Sequence, residues 1–525
     1  MRNGSDNRII KDPVHGYISV PREVCDSFVD TEIFQRLRNI EQTSMRWLFP
    51  GGRHDRFAHS LGVYHLSCRI VNAIIKNSDD KEVQTAFADG ELKTTFEIAA
   101  LMHDCGHSPF SHTLEDLYNS YIDGAVHDDA YVAFNSVVDA ETQKDLQTKR
   151  DSGKPPAAHE VMSAYVLLAN FKNELSAIGV RSHSLAARMI TGCAYPNADT
   201  IRKQVENILI KLLNGYVVDV DKLDYIIRDT WASGVNNSSI DIARLVDGAK
   251  ITRVSKDVDM VEFVYLPRSL GVIQTVIDAR NHLYEWIYGH RVVVYYAEVL
   301  KQAIKDLGIV LSNVGTPDPV NNAPQEILRR MFSKDMFVKR VPIVGGKDFP
   351  AIKLLCDGDI VFLLKMFCGE NKWWKIYSSH TSGHIALWKT GAEYRSLIES
   401  SYRVSMDNCI EAIRSKFNFS EDDCFACKDM AYKQQQIADD SVLIEIAPFK
   451  IRSLVRLITL PKYVRVEGAV DNAAFYVFLK KEYINQKPQI IDFVNQLSKM
   501  EVVEQTALIK KLEIDKGSVV CATGK

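Results

Sequence analysis

Two histidines and two aspartates in this sequence lie within or beside apolar helical patterns, in three separate runs. His59 opens the run DRFAHSLGVYHL and shares the apolar face of the helix that this run predicts. His103 and Asp104 close the run FEIAALMHD, directly before a cysteine and a glycine that break the helix. Adjacent helical residues diverge by about 100°, so both could reach one ion only at a helix end. Asp221 lies among apolar residues in the run VVDVDKLDYIIRD.

Buried carboxylates must be paired or must bind a cation, because an isolated carboxylate is costly to remove from water. Two imidazoles and two carboxylates form a nitrogen and oxygen site that suits iron, manganese, zinc or magnesium, and the sequence does not choose among these metals. Any one of the four residues alone is more often a buried side chain whose hydrogen bonds are made within the protein core. The four in this order predict a metal centre with open positions for water and substrate.

The elements that would position these residues are mostly helical. From about Phe34 to Leu300, apolar residues recur at helical spacing in runs such as HEVMSAYVLLANF and VENILIKLL. Residues 120–157 break this pattern with a polar stretch, which predicts an insertion or a long loop between the histidine-rich run and the next helix.

The C-terminal part has a different composition. Prolines and asparagines cluster at residues 315–326 and predict a linker, and beyond it the runs VLIEIAPFKI, YVRVEGAV and AAFYVFLKK are typical of strands. We therefore predict a mainly α fold, with a helical core in residues 1–314 and a mixed α+β region in residues 315–525. We expect the C-terminal region to serve oligomerisation or regulation.

Composition limits the classes of function. The chain of 525 residues carries a formal net charge of -3, which gives no global attraction to nucleic acid, although binding of single strands at a local site stays open. The sequence has no apolar signal core and no run of 18 or more apolar residues, so we expect a cytoplasmic protein without membrane contact. Cys424 and Cys427 form a lone CxxC pair, whereas a zinc site of this type needs a second pair.

The chain resembles the HD-domain deoxynucleoside-triphosphate triphosphohydrolases, a family that includes dGTPases and SAM-and-HD-domain dNTPases. The resemblance covers about residues 8–300 and runs through DPVHGYI, DTEIFQRLRNIEQ, RFAHSLGV, HDCGHSPFSH, HEVMS and DVDKLDYIIRD. Since only a few residues stand before DPVHG, we expect no SAM domain. The resemblance implies a helical HD-domain core.

The resemblance also implies the chemistry. It makes His59, His103, Asp104 and Asp221 the metal ligands, with magnesium carried on the substrate triphosphate. The family attacks the α-phosphorus of a dNTP and releases inorganic triphosphate and a deoxynucleoside. The leaving 5′-oxygen needs a proton. The matching residues are His112 as general acid, oriented by Glu115, with His107 beside the metal and His159 facing the phosphates.

Further matches concern the substrate. Fixed cations suit a triphosphate because it carries several negative charges. The resemblance assigns the triphosphate to Arg56, Lys222 and Arg280, and the sugar with its 3′-hydroxyl to Gln42, Tyr225, Asp229 and Tyr288. After Gln42 the family has a leucine that helps to exclude a 2′-hydroxyl, whereas this chain has Thr43. Dinucleotide-like or modified substrates therefore become conceivable.

A second group matches a regulatory guanine-nucleotide site of the family. Asp30, Gln35 and Arg38 in DTEIFQRLR could read the donor and acceptor edges of a purine. Their ordinary interpretation is a helix-capping aspartate followed by two solvated polar residues. The match implies a nucleotide activator and a closed homo-oligomer, a tetramer or a hexamer.

Two alternatives stay open at this point. One is an HD phosphodiesterase that acts on a cyclic nucleotide or an oligonucleotide. The other is a sensor that binds a nucleotide or a nucleic acid without catalysis, although such a protein has no need for a buried general acid. The biological role could be balance of the dNTP pool or antiviral defence by starving phage replication, and the residues do not separate the two.

Overall fold

The structure is a computed structural model that describes residues 7–115, 126–235, 240–314, 323–344, 351–397, 404–428, 442–457 and 475–522. Its helices are α1 Arg22–Val24, α2 Glu32–Gln35, α3 Arg56–Asn77, α4 Lys81–Phe87, α5 Glu91–Met102, α6 Val126–Asn135, α7 Ala140–Asp151, α8 Ala158–Asn170, α9 Lys172–Ala177, α10 His183–Thr191, α11 Ile201–Leu213, α12 Val220–Ser233, α13 Ile242–Val246, α14 Leu270–His282, α15 Arg291–Ser312, α16 Pro324–Met331, α17 Asp357–Phe367, α18 Lys372–Ser379, α19 Gly391–Leu397, α20 Met406–Phe417, α21 Leu454–Leu457, α22 Lys487–Ser498 and α23 Val502–Ala522. Its strands are β1 Asn7–Asp12, β2 Gly16–Pro21, β3 Ala249–Ser255, β4 Val258–Tyr265, β5 Val341–Pro342, β6 Ala351–Ile352, β7 His384–Ala386, β8 Cys424–Lys428, β9 Leu443–Ala447, β10 Lys450–Ser453 and β11 Phe475–Lys480.

The chain divides into two compact units that are discontinuous in sequence. The first contains Met1–Arg280, Lys305–Phe367 and Gln435–Pro461, and the second contains Asn281–Ile304, Cys368–Gln434 and Lys462–Lys525. These units do not follow the predicted division at residue 314, because residues 305–367 pack with the N-terminal helices. The predicted functional roles of the two regions stay predictions.

The first unit is a helical core with small sheets. Helix α3 packs against α5 and α12, α10 packs against α5 and α8, and α6 packs against α8. Strands β1 and β2 form an antiparallel hairpin, β5 pairs with β6, and a four-stranded sheet has the order β10-β9-β4-β3. In that sheet β9 runs parallel to β4, with Tyr265 opposite Ile444. The core helices are held mainly by buried aliphatic side chains such as Leu66 and Leu209.

The second unit is a small α+β structure. Strands β7, β11 and β8 form an antiparallel sheet with β11 at its centre, and α20 packs against β8, α22 and α23. Cys424 and Cys427 lie on β8 and are buried, and burial raises the pKa of the Cys424 thiol to about 12. Both cysteines therefore lie in the interior of this unit.

The predicted fold class is confirmed, since the helical core and the mixed C-terminal region are both present. The runs VLIEIAPFKI and AAFYVFLKK form strands as predicted, whereas YVRVEGAV lies outside the described residues. The predicted linker lies mostly outside them too, and its last residues begin α16. Sequence analysis missed the hairpin of β3 and β4, whose alternating β-branched residues flank a Lys256-Asp257 turn inside a region predicted to be helical.

The segment at residues 120–157, predicted to be an insertion or a long loop, is mostly helical where the structure describes it. Helices α6 and α7 occupy Val126–Asn135 and Ala140–Asp151, and residues 120–125 lie outside the described part. Buried Tyr131, Phe134 and Leu146 hold these helices on the core, which outweighs the polar composition of the segment. Within the described ranges, no helix combines the length and the apolar character needed to cross a bilayer.

Gly106 marks the tightest backbone approach beside α8. A Cβ added to Gly106 would lie 2.5 Å from the backbone nitrogen of Ser163, so any side chain must separate the two segments. We expect Gly106→Ala to lower the free energy of unfolding by about 1–3 kcal/mol. Gly271→Ala is the matched control, because its added Cβ meets nothing within 4 Å and alanine favours the helix. Chemical denaturation of both variants checks this, and equal stability of Gly106→Ala and the unmodified protein would contradict it.

Candidate active site

Three helix ends in the first unit bring the predicted metal ligands together. His59 lies in the first turns of α3, and α5 ends directly before His103 and Asp104, as the sequence pattern predicted. Asp221 lies in the first turn of α12, which Asp219 caps by accepting a hydrogen bond from the backbone nitrogen of residue 222. An acidic residue is favourable there because the helix dipole places positive charge at a helix N-terminus.

The ligand atoms of His59, His103 and Asp221 lie within 4.8 Å of one another, and Asp104 lies beside the two histidines. His59 Nε2 lies 3.0 Å from Asp221 Oδ1 and 3.6 Å from Asp104 Oδ2. His103 Nε2 lies 3.6 Å from Asp221 Oδ1 and 3.5 Å from Asp104 Oδ2. Both Nε2 atoms are buried and have no hydrogen-bond partner among the described residues. Two buried imidazole nitrogens aimed at two carboxylates fit a divalent metal with nitrogen and oxygen ligands.

Three of the four ligand candidates, His59, His103 and Asp104, are oriented by a further contact. His59 Nδ1 donates to Asp224 Oδ2 at 2.7 Å, which leaves Nε2 as the atom that faces the site. Asp224 also accepts from His15 Nε2 at 2.6 Å and from Arg228 at 2.9 and 3.0 Å. It fits against α3 only because Gly62 has no side chain, since a Cβ there would lie 1.8 Å from Asp224 Oδ1.

The other two ligands are held in the same way. His103 Nδ1 donates to the carbonyl oxygen of Ala100 at 2.8 Å, which directs its Nε2 towards the site. The Asp104 carboxylate accepts from Arg56 Nη1, and Arg56 Nε donates to Ser111 Oγ at 2.7 Å. Arg56 therefore links a metal-ligand candidate to the segment that carries the catalytic histidines.

The electrostatics of this cluster favour a bound cation. Burial disfavours the imidazolium of His59, but the Asp221 and Asp224 carboxylates outweigh burial and raise its pKa to about 10. Burial also opposes the charged form of Asp104, yet Arg56 and the two histidines hold its pKa well below the usual range. A proton or a metal ion is therefore stabilised among these groups.

A second cluster contains the four residues predicted to be catalytic. Glu115 accepts hydrogen bonds from His112 Nδ1 at 2.7 Å and from His159 Nδ1 at 3.0 Å. The His107 and His159 rings are stacked with centroids 4.3 Å apart, and the His112 ring lies edge-on to both. The His112 side chain is 50% exposed, so its Nε2 side can meet a ligand.

The charge states in this cluster differ from those at the metal-ligand candidates. Burial, together with the positive charges of Arg56 and His159, holds the pKa of His107 well below its usual range, so His107 is neutral. Burial opposes ionisation of Glu115, but His112 and His159 outweigh it and lower its pKa. His159 is also buried, yet Glu115 raises its pKa. One carboxylate thus orients two histidines and favours the protonated form of His159.

Residues predicted to read a sugar lie in the same unit. Asp229 is buried on α12 and accepts a hydrogen bond from His54 Nε2 at 2.5 Å, and Tyr225 lies one turn earlier on that helix. The backbone nitrogen of Gln42 donates to the carbonyl oxygen of His54 at 3.1 Å. Gln42 Oε1 and Thr43 Oγ1 are buried and lack a hydrogen-bond partner within the described part of the chain.

Two of the residues predicted to bind the triphosphate, Lys222 and Arg56, are paired with carboxylates. Lys222 Nζ contacts the Asp219 carboxylate and donates to the carbonyl oxygen of Tyr216 at 3.1 Å. Burial opposes the charge of Lys222, but Asp219 outweighs it and raises the lysine pKa, whereas the charge of Arg280 acts in the opposite direction. Arg56 pairs with Asp104, and its Nη2 is buried with no hydrogen-bond partner in the described segments.

Tyr288 lies in the second unit, at the end of the π-helical turn Leu283–Tyr288, where its ring is edge-on to that of Tyr284. Its predicted role beside the sugar stays a prediction.

The residues of the predicted regulatory group interact with close neighbours. Asp30 forms a bidentate pair with Arg8 at 2.5 Å, and Arg38 Nε donates to Gln35 Oε1 at 2.8 Å. The Arg38 guanidinium lies 3.4 Å from the centre of the Phe57 ring. The nucleotide-binding role of this group stays a prediction.

Two residues that orient the site were missed by sequence analysis. Asp224 follows Asp221 by three residues in DVDKLDY, and that helical spacing placed both on one face of α12. His54 immediately precedes the N-cap of α3, and only its contact with Asp229 reveals its place. The helical spacing of Asp224 from Asp221 could have identified Asp224 from the sequence. The contact of His54 with Asp229 could not be found in this way, because it joins residues 175 positions apart.

No protein-family model matches the chain. The uncharacterised protein YwfO of Bacillus subtilis is 26% identical over 319 residues, which cover 59% of this chain and 59% of YwfO. A deoxynucleoside triphosphate triphosphohydrolase SAMHD1 homologue of Dictyostelium discoideum is 29% identical over 288 residues, which cover 54% of this chain and 46% of that protein. The chain spans about half the length of the curated relatives it matches.

Among solved structures, a phosphohydrolase from Bacteroides thetaiotaomicron matches 90% of this chain and 100% of its own, with a TM-score of 0.55 and 18% sequence identity. This likeness concerns the fold. The chain is thus similar to a protein named as a deoxynucleoside triphosphate triphosphohydrolase and to a solved phosphohydrolase. His59, His103 and Asp221 of the site described above could hold a metal ion.

Removal of one ligand tests the metal centre. We expect Asp221→Asn to abolish bound metal with little change in unfolding temperature, because this side chain is 38% exposed and fills no core space. Elemental analysis of the purified protein measures the metal directly. Asp241→Asn is the matched control, since Asp241 caps α13 by accepting from the backbone of Arg244 and asparagine caps equally well. Full metal occupancy in Asp221→Asn would contradict the assignment of the site.

Proposed function

We propose that this protein is a metal-dependent dNTP triphosphohydrolase, which converts a dNTP to a deoxynucleoside and inorganic triphosphate. The observation that carries this proposal is the pairing of two clusters on one segment. Residues 103–115 supply two candidate metal ligands and also His107, His112 and Glu115. A sensor without catalysis has no need for a carboxylate that orients two histidines.

The residues of the chain have separate tasks in this reaction. His59, His103, Asp104 and Asp221 would hold a divalent metal, which when bound activates water at neutral pH and offsets charge on phosphoryl oxygens. His112 donates a proton from Nε2 to the leaving 5′-oxygen, while Glu115 holds its Nδ1 at 2.7 Å. His159 shares that carboxylate and faces the phosphates as a second donor.

The sugar and the phosphates are bound by the remaining residues of the site. Gln42 and Asp229 bind the sugar hydroxyls, with Tyr225 against the ring. Arg56, Lys222 and Arg280 bind the triphosphate with its magnesium ion. The buried hydroxyl of Thr43 offers a partner to a 2′-hydroxyl, so we propose that ribonucleotides are accepted as well.

Regulation and assembly form the last part of the proposal. Asp30, Gln35 and Arg38 bind a nucleotide activator, and the activator acts through a homo-oligomer, a tetramer or a hexamer, which residues 315–525 brace. The support is the likeness to SAMHD1 homologues, two of which are 29% and 26% identical to this chain over 54% of its length. Antiviral defence or control of the dNTP pool would follow from the same activity.

One observation favours a second candidate function, hydrolysis of a phosphodiester in a cyclic or short oligonucleotide. Lys222 is paired with Asp219, and Arg56 is paired with Asp104. The charges of two of the three cations proposed to bind the triphosphate are therefore already offset by carboxylates. A diester carries less charge than a triphosphate and needs fewer fixed cations. The metal and histidine clusters would serve both reactions.

Product analysis decides between these functions. The metal-loaded protein is incubated with each dNTP and NTP, alone and in mixtures, and chromatography separates nucleoside, triphosphate, pyrophosphate and phosphate. We expect nucleoside and intact triphosphate in equal amounts, and turnover that depends on a second nucleotide. Cyclic dinucleotides and oligonucleotides are assayed in parallel. Hydrolysis of these alone would replace the triphosphohydrolase by the diesterase, and activity without a second nucleotide would remove the proposed activator.

The general acid can be tested separately from the metal. We expect His112→Gln to lower kcat by about 10²–10⁴-fold, because the leaving oxygen then departs without a proton donor, while metal content stays unchanged. His183→Gln is the control, since His183 is a partly exposed histidine that pairs only with Ser176 in the described hydrogen bonds. Steady-state rates across pH check the result. A kcat of His112→Gln equal to that of the control would exclude His112 as the acid.

A further inference from the structure

Asp357 and Arg36 are buried polar side chains that take no part in the proposed reaction. They join residues 107–112, called here the histidine segment, to the start of α17. Asp357 is 9% exposed, and its carboxylate accepts hydrogen bonds from the backbone nitrogen of Glu41 at 2.9 Å and from that of Phe110 at 2.6 Å. Glu41 directly precedes Gln42, and Phe110 lies between His107 and His112 in the sequence. One carboxylate thus holds two site-forming segments together.

Arg36 makes the matching connection from the other side. Its Nε donates to the carbonyl oxygen of Leu355 at 2.6 Å, and its Nη2 donates to the carbonyl oxygen of His107 at 2.8 Å. Its guanidinium also lies 5.0 Å from the centre of the Phe337 ring. Leu355 and Asp357 are two residues apart. Residues 355–357 are therefore connected to the histidine segment at two points.

The backbone that these contacts hold is unusual. Phe110 and Ser111 have φ values of 59° and 51°, a left-handed conformation that residues other than glycine adopt only when the surroundings impose it. The 3₁₀ turn Ser111–Leu114 begins there and carries His112. The hydrogen bond from the Phe110 nitrogen to Asp357 fixes the residue from which that turn starts. An apolar side chain in place of Asp357 would leave two buried backbone donors without partners.

We propose that Asp357 and Arg36 are positioning residues that set the distance between Gln42, which binds the sugar, and His112, which protonates the leaving oxygen. Both side chains act through the backbone of the segments that they hold. This inference rests on the roles proposed above for Gln42 and His112. It assigns a catalytic task to the segment around residue 357, which lies in sequence beyond the motifs that carry the family resemblance.

Asp357→Asn tests the proposal, because asparagine has the same shape but only one oxygen to accept hydrogen bonds. We expect kcat to fall about tenfold or more, with a smaller rise in KM and unchanged metal content. The unfolding temperature should fall as well, because one buried backbone N–H loses its acceptor. Hydrogen exchange at the amides of Glu41 and Phe110 should become about tenfold faster. Arg36→Lys, which keeps the charge but loses the two-point contact, should lower kcat in the same direction.

Asp359→Asn is the matched control, since Asp359 lies on the same helix but accepts only from the backbone nitrogen of Cys356, at 2.8 Å, in the described hydrogen bonds. Unchanged kcat in Asp357→Asn, or unchanged exchange at both amides, would overturn the proposal. A loss of kcat equal to that of Asp359→Asn would also overturn it. If the unmodified protein hydrolyses no dNTP, the proposed function fails. The exchange rates and the rate of His112 modification by diethylpyrocarbonate then decide whether Asp357 holds the histidine segment.

Discussion

The carboxylate of Asp224 is the contact on which the candidate active site depends. It is fully buried, and it accepts hydrogen bonds from His15, His59 and Arg228, which come from three different parts of the first unit. A buried carboxylate is stable only with several donors, so these partners are a condition of the fold as well as of the site. Gly62 makes the approach of α12 to α3 close enough for that contact. The orientation of His59 follows from the way the two helices pack.

Residues 103–115 contribute to two neighbouring clusters, in which the charged groups shift histidine pKa values in opposite directions. Carboxylates surround His59 and raise its pKa to about 10, whereas cations near buried His107 hold its pKa well below its usual range. The first environment attracts a cation and the second attracts an anion. Arg56 lies between them, because it contacts Asp104 in one cluster and Ser111 beside the other. A metal ion and a phosphate group are the ligands that suit such a pair of neighbouring environments.

Much of the site could be predicted from local sequence patterns, because its residues lie where helical periodicity starts or stops. The end of α5 before His103 was recognisable from the residues that break the helix, and the run around Asp221 was recognisable as apolar and helical, although the start of α12 was not predicted. The hairpin of β3 and β4 was missed because its pattern was read as part of a long helical region. The helices α6 and α7 were missed since buried aromatic contacts outweigh a polar composition.

The part of the site that depends on contacts between residues far apart in the sequence could not be predicted. Asp357 contacts residues 247 and 316 positions away, and nothing in the run CDGDIVF distinguishes it from a helix-capping aspartate. The left-handed backbone at Phe110 has no signal either, since phenylalanine disfavours it and only the surrounding structure sustains it. The motif residues therefore define which groups can react. Their separation depends on a segment whose sequence gives no sign of that role, and for this reason the C-terminal half of the first unit belongs to the site as much as the motifs do.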